Sequence, residues 1–421
     1  MTILLDYNLN ELQEIIEAHG EPVFRATQLY QAMLSGKNFE DKMNLPKSML
    51  DKFKNAGMVM QPVTIYKEKK SKDKTVKFLY KLADNEIVEG VLMKYKFGNT
   101  ICVSTQIGCK MNCKFCASSL NGFVRNLSVG EMLGQVVAVN KYLGGSFKDR
   151  KITNIVLMGS GEPLDNFSNV VKFLQVLTDE NGFNFSVRNI SVSTCGLPNK
   201  IEELADTGMA VTLSISLHAP NDTIRKEIMP IAKKYAIPTV LESAKYYNTI
   251  SNRRVIFEYT LIDEVNNKPT HARQLAELVK DIPCHINLIK LNEVDGRNLK
   301  SPTVDSCEDF LNMLNRLGVS ATLRRTMGDD VEGACGQLRN RELREARENQ
   351  ISGYKTHQPR KKDTKKVKVE KTTENKKISR VASSKTLNIK EKSYKKEEKK
   401  NPRQKARFNE KTNSNRVGRH R

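Results

Sequence analysis

The most informative absences come first. No apolar run approaches the roughly 18 residues that cross a bilayer. The opening "MTILLDYNLNELQEI" meets acidic residues early and has neither the apolar core nor the small-residue cleavage site of a secretory signal. Cysteine is scarce, with eight in 421 residues, too thin for a secreted disulfide framework. These absences exclude a membrane-spanning reading and favour a reducing, cytoplasmic compartment. No G-x-G-x-x-G follows the first strand of the strand–helix pattern, which counts against a Rossmann dinucleotide site.

Hydrophobic residues are also sparse, at 38%, but that average blends two regions. Residues 351–421 hold 25 Lys+Arg against 7 Asp+Glu, a net of +18. The whole chain carries +22, so residues 1–350 keep only +4. Stretches such as "RKKDTKKVKVEKTTENKK" have too few large apolar side chains to offset their chain entropy. Residues 349–421 are therefore expected to be a disordered basic tail.

The body divides by pattern. Residues 1–62 read as a small helical domain: Leu9, Leu12, Ile15 and Ile16 share one face, and "PVFRATQLYQAML" and "LPKSMLDKF" give two more helices. Residues 63–97 turn to alternating short strands. From 98 to 348, strand candidates alternate with amphipathic stretches: "TICVSTQ" (100–106), "ITNIVLMG" (152–159), "NISVSTCG" (189–196), "AVTLSISLH" (210–218), "RVIFEYTLI" (254–262), "CHINLIKL" (284–291) and "VSATLR" (319–324). Such alternation predicts an α/β fold with a parallel sheet and right-handed crossovers, open or closed as a (β/α) barrel of about six units.

"CKMNCKFC" sets Cys109, Cys113 and Cys116 in the loop after the first of these strands, at the strand's C-terminal end, where barrels carry their chemistry. The spacing admits three readings: one face of a helix with buried thiols, a zinc site with a distant fourth ligand, or a four-iron cluster with three protein ligands and one open iron.

Cys-x3-Cys-x2-Cys after a first barrel strand, with Phe115 before the last cysteine, resembles the radical S-adenosylmethionine (SAM) superfamily. The resemblance implies a partial (β/α)6 barrel and a [4Fe–4S] cluster whose open iron is bound by SAM. Within it, "CVSTQIGCKMNCKFCAS", "GSGEPLDN" and "RRTMGDDVEGACGQL" are similar to the RlmN/Cfr RNA methyltransferases over about residues 1–345. That likeness implies methylation of C2 of adenosine 2503 in 23S rRNA and of adenosine 37 in tRNAs. It implies two SAM molecules per turnover and flavodoxin with its reductase as electron donor; nothing in the sequence suggests more than a monomer.

Residue by residue, the resemblance makes Cys335 the carrier of an S-methyl intermediate. Cys102 becomes its partner in a transient disulfide and Glu89 the proton acceptor. SAM contacts fall on Gly161, Glu162, Ser193, Ser216, Leu217, His218 and Asn292. Ser160 stands where the family usually has Met. Cys195, Cys284 and Cys307 match no such position and read as packing residues. Arg25, Lys47 and Lys52 are candidate phosphate contacts, and the tail could add RNA affinity through counterion release. Two rivals stand beside this reading: methylation at C8 of the same rRNA adenosine, as in Cfr, and a non-enzymatic metal-containing RNA-binding protein.

Overall fold

The computed structural model describes residues 1–325, 327 and 328, all within one compact unit, Met1–Gln358. Cys335, the limit expected at 348 and the basic tail lie outside the described residues.

The chain opens with a short strand β1 (Thr2–Ile3) and helices α1 (Leu9–Ala18), α2 (Phe24–Leu34) and α3 (Lys47–Asn55), followed by β2 (Met58–Val59) parallel to β1. Asn8 starts α1 with a reciprocal cap: its side chain accepts from the Glu11 N–H at 3.0 Å, and the Glu11 carboxylate accepts from the Asn8 N–H at 2.8 Å. Leu12 and Ile16, one turn apart, are the buried pair.

An antiparallel meander comes next, β3 (Val63–Lys70), β4 (Val76–Leu82) and β5 (Ile87–Tyr95), and it runs on into β6 (Gly98–Cys102). A small hairpin of β7 (Gln106–Gly108) and β8 (Phe123–Asn126) precedes α4 (Val129–Tyr142). The chain then alternates through β9 (Ile152–Leu157), α5 (Phe167–Thr178), β10 (Ile190–Thr194), α6 (Pro198–Asp206), β11 (Thr212–Ser216), α7 (Asp222–Ile228), α8 (Ile237–Ser251), β12 (Val255–Leu261), α9 (Pro269–Val279), β13 (Cys284–Lys290), α10 (Val304–Arg316) and β14 (Ala321–Leu323).

Among the described residues ten strands form one sheet, in the order β14-β13-β12-β11-β10-β9-β6-β5-β4-β3. From β6 to β14 neighbours run parallel; from β6 to β3 they run antiparallel. No pairing joins β14 to β3 among the described residues, so the barrel is open. The segment 63–97 is thus an extension of the barrel sheet, joined to it through the Val91–Cys102 register of β5 and β6.

The parallel strands alternate for a physical reason. In β10, Ile190 and Val192 are buried in the apolar core while Ser191 and Ser193 face the other side. In β11 and β12 the same alternation turns Ser216 and Glu258 toward a common interior cavity. α4 is buried along most of its length because both of its sides are covered. Gly130 and Gly134 let Ile3 and Val63 approach where a Cβ would collide at 2.7 and 2.6 Å.

One strand is shorter than the sequence predicts. "TICVSTQ" stops at Cys102 because Gln135 of α4 takes over the pairing of Ser104: the Ser104 N–H donates to Gln135 Oε1, and Gln135 Nε2 donates to the Ser104 carbonyl, both at 3.0 Å. The chain then turns into β7, and the cysteine loop begins.

Candidate active site

The loop 109–122 is closed at its base by the β7–β8 hairpin, with the Cys109 N–H donating to the Gly122 carbonyl. Gly108 adopts φ +76, and a Cβ there would lie 1.8 Å from the Gly122 oxygen, so only glycine fits this closure. Cys109, Cys113 and Cys116 all line a cavity of about 310 Å3. Phe115 packs edge-to-face on His218 at 4.7 Å, which fixes the loop against the end of β11.

Burial pushes the Cys109 thiol up to about 12 and the Cys113 thiol well above its ordinary value. Both are therefore thiols at neutral pH, and a metal binding them would displace their protons. Among the described residues no group of three or more His, Cys, Asp or Glu side chains is arranged to hold a single metal ion. Three thiols on one loop lining one cavity are a donor set of the kind that holds an iron–sulfur cluster.

The opposite lip comes from the loop after β9. Gly161, at φ +109, packs its backbone on Gln106, where a Cβ would meet the side chain at 2.6 Å. This positions Glu162, which is 3% exposed. Its two oxygens accept from the Leu164 N–H at 3.0 Å and the Cys195 N–H at 2.7 Å. Burial raises its pKa, so an arriving ammonium group would offset the cost of ionising it.

The remaining residues sort clearly. Gly161, Glu162, Ser193, Ser216, His218, Asn292 and Cys102 line the same cavity as the three cysteines. Leu217 is fully buried in the core, and its backbone N–H is held by the Glu258 carbonyl. His218 takes a left-handed backbone at φ 55, and its Nδ1 accepts from the Thr260 N–H at 2.9 Å. Burial lowers its pKa to about 3, so the ring is a neutral wall element.

Glu89 lies on the face of β5 that carries Val91 and Met93, both of which line the cavity. Its carboxylate is 2% exposed and pairs with the fully buried Lys77 at 3.6 Å. Of the candidate phosphate contacts, Arg25 pairs with Glu21 at 3.7 Å and Lys52 donates to the His19 carbonyl at 2.5 Å; Lys47 is exposed.

Sequence reasoning missed three features of the cavity. Glu258 is the first: its Oε2 accepts from Ser193 Oγ at 2.9 Å and from Ser216 Oγ at 3.4 Å. Its Oε1 is buried without a hydrogen-bond partner among the described residues. A buried, unsatisfied carboxylate oxygen is costly unless a ligand donor reaches it. The signal was available, since "RVIFEYTLI" is an apolar strand interrupted by one acid. The second is Cys195, which packs as expected and also lines the cavity beside Glu162. The third is a set of cations on the lining, Lys290, Arg324 and Arg325.

Comparison with known proteins decides the family. The model of the radical SAM superfamily matches residues 103–276. A probable dual-specificity RNA methyltransferase RlmN from Clostridium botulinum (strain Alaska E43 / Type E3) is 47% identical over 340 residues, spanning 80% of this chain and 96% of that protein. The chain belongs to the RlmN family. A Clostridium perfringens (strain SM101 / Type A) protein of the same description is 48% identical over 341 residues, covering 80% of this chain and 97% of its own length. The crystal structure of a radical SAM methyltransferase from Sphaerobacter thermophilus superposes with a TM-score of 0.77 at 37% identity, covering 80% of this chain and 99% of that one. Radical SAM membership implies a [4Fe–4S] cluster and SAM. The three thiols, the Glu162 carboxylate and the unsatisfied Glu258 oxygen form a donor and acceptor set that fits both.

Proposed function

We propose that this RlmN-family chain is a radical SAM RNA methyltransferase that methylates C2 of adenosine 2503 in 23S rRNA and of adenosine 37 in tRNAs. One observation carries the reading: Cys102 lines the same cavity as Cys109, Cys113, Cys116 and Glu162. A thiol suited to resolving a cysteine adduct thus shares a chamber with thiols suited to a cluster.

Cys109, Cys113 and Cys116 hold the cluster. Glu162 accepts from the amino group of SAM, and Ser193, Ser216, His218 and Asn292 line the rest of its berth, with Gly161 and Leu217 contributing backbone. Glu258 braces both serines and offers its free oxygen to a ligand hydroxyl or amine. When bound, the cluster and SAM supply an electron, a methyl group and a carbon radical.

The chain's own thiols do the rest. C2 of adenine is electron-poor and does not attack a methyl sulfonium. Cys335 carries the methyl carbon to the ring, Glu89 accepts the proton that the ring carbon loses, and the Cys102 thiolate attacks the Cys335 sulfur, so that the disulfide forms as the S–C bond to the product breaks and the released carbon takes up a proton. The target base leaves its stack to enter the cavity, with Lys290, Arg324 and Arg325 suited to its phosphates. Flavodoxin with its reductase is the proposed electron source, and the monomer the working unit.

The test is anaerobic reconstitution followed by dithionite, SAM and rRNA or tRNA substrate. The expected products are 5′-deoxyadenosine and 2-methyladenosine, identified by nucleoside mass spectrometry and NMR. Recovery of 8-methyladenosine would replace the C2 assignment. A preparation that binds zinc and never cleaves SAM would overturn the enzymatic reading altogether.

A further inference from the structure

The largest fully buried side chain among the described residues is Arg225, 0% exposed. It sits in the middle of α7, and its guanidinium donates only to backbone carbonyls: Nε to Leu217 at 3.2 Å, Nη1 to Tyr235 at 3.1 Å, and Nη2 to Cys195 at 2.8 Å and Ser216 at 3.4 Å. No carboxylate among the described residues lies within ion-pair distance of it. A buried charge surrounded by neutral dipoles costs several kcal/mol unless an anion compensates it.

The cysteine loop is close by. α7 is bound to the cysteine loop through the Lys114 N–H, which donates to the Ile228 carbonyl at 2.8 Å. Ile228 and Met229 pack in one apolar cluster with Cys109, Met111 and Cys195, against which Cys113 and Phe115 rest. The guanidinium itself is tied to this cluster of side chains through its Nη2, which donates to the Cys195 carbonyl at 2.8 Å. Asp222, on the same helix, acts on the guanidinium without touching it while its Oδ1 accepts from the Ile237 N–H.

We infer that Arg225 is the fixed counter-charge of the iron–sulfur cluster, set behind the cysteine loop so as to stabilise an added electron and raise the cluster's reduction potential. The inference rests on the reading that Cys109, Cys113 and Cys116 hold that cluster. Reduction adds one negative charge to a centre already carrying three thiolates, the electron coming from a one-electron donor such as dithionite, which is oxidised. No proton need move. A buried cation with no competing carboxylate in contact acts on that charge through low-dielectric protein, where its field is screened little. Arg225 is therefore a positioning residue for charge: it lines no part of the cavity and touches no substrate.

The experiment is a redox titration of the anaerobically reconstituted full chain, following the EPR signal of the reduced cluster, for wild type, R225Q, R225M, R225K and D222N. At a fixed potential in the transition, R225Q and R225M should show a reduced-to-oxidised ratio at least tenfold below wild type, a downward midpoint shift of about 59 mV or more for a one-electron couple. R225K should retain most of the wild-type value. D222N, which keeps an acceptor for Ile237 while removing a negative charge, should shift the midpoint upward. Intact clusters in R225Q or R225M with unchanged midpoints overturn the inference. Should those two variants fail to fold, an unchanged midpoint in D222N does so instead. A wild-type protein that binds no iron–sulfur cluster would defeat the underlying reading, an outcome distinct from clusters with unshifted potentials.

Discussion

The two walls of the cavity handle buried charge in opposite ways. On the β10–β12 side, charge waits for a partner. Behind that wall Arg225 donates only to carbonyls, on it Glu258 keeps one oxygen unsatisfied among the described residues, and in the adjoining cysteine loop two thiols are held protonated by burial. On the β4–β5 side, charge is already matched, with Lys77 and Glu89 pairing at 3.6 Å out of solvent. The first wall is built to be completed by ligands, the second to be stable alone. That difference separates the part of the site proposed to hold cofactor from the part proposed for the ring-proton step.

The sharpest way to break the contrast is on the cysteine side. Cys113→Ala removes one of the three thiols proposed to hold the cluster and should abolish iron–sulfur colour and lower 5′-deoxyadenosine formation by roughly 10⁴-fold or more, the scale seen when an essential group is lost. Its folding should suffer little, because that wall is incomplete without ligands. Iron analysis and urea unfolding read the two effects separately. A variant that keeps a full cluster would show that Cys113 is not a ligand.

The matched wall should behave in the reverse manner. Lys77→Met leaves the Glu89 carboxylate buried without its cation, and breaking such a pair from one side costs about 3–5 kcal/mol of stability. K77M/E89Q should recover most of that loss, while cluster assembly and SAM binding stay at wild-type levels in both. If K77M unfolds at the wild-type urea midpoint, the pair is not the stabilising element of this wall.

A smaller effect is expected at Glu258. Glu258→Gln keeps the shape but removes the charge that Ser193, Ser216 and an arriving donor share. A hydrogen bond to a charged group contributes about 1.5–3 kcal/mol, so SAM should bind roughly 10- to 100-fold more weakly by anaerobic equilibrium dialysis. Unchanged affinity would mean that the unsatisfied oxygen is not a ligand contact.

Legibility in the sequence followed the same division. The parallel strands announce themselves as short apolar runs between amphipathic helices, and the cysteine spacing marks its own loop. What the sequence hid were relations between distant residues. Gln135 ends the first barrel strand from 31 positions away, and Glu89 meets Lys77 across a meander. Arg225 gives no signal in "NDTIRKEI", because a seven-residue helix is too short for its buried face to be recognised by period. Glu258 was visible as an acid inside an apolar strand, yet its significance depends on which face of the sheet it occupies.

His218 offers the gentlest test, because it belongs to the incomplete wall yet is itself satisfied. Its ring stays neutral in the folded chain down to about pH 3, whereas an unfolded histidine takes up a proton near pH 6.5. Between those values the unfolded state binds the extra proton. The stability contribution is therefore fully present above about pH 6.5 and is lost as the pH falls toward 3, by up to about 1.4 kcal/mol per pH unit. Asparagine tolerates the left-handed backbone at this position, and its Oδ1 can take over the bond from the Thr260 N–H. H218N should thus fold while losing this pH dependence. Urea unfolding of both proteins between pH 7.5 and 5 should give free energies that converge as the pH drops. Parallel curves would mean that His218 protonates as readily folded as unfolded, and that this wall is open enough to admit water.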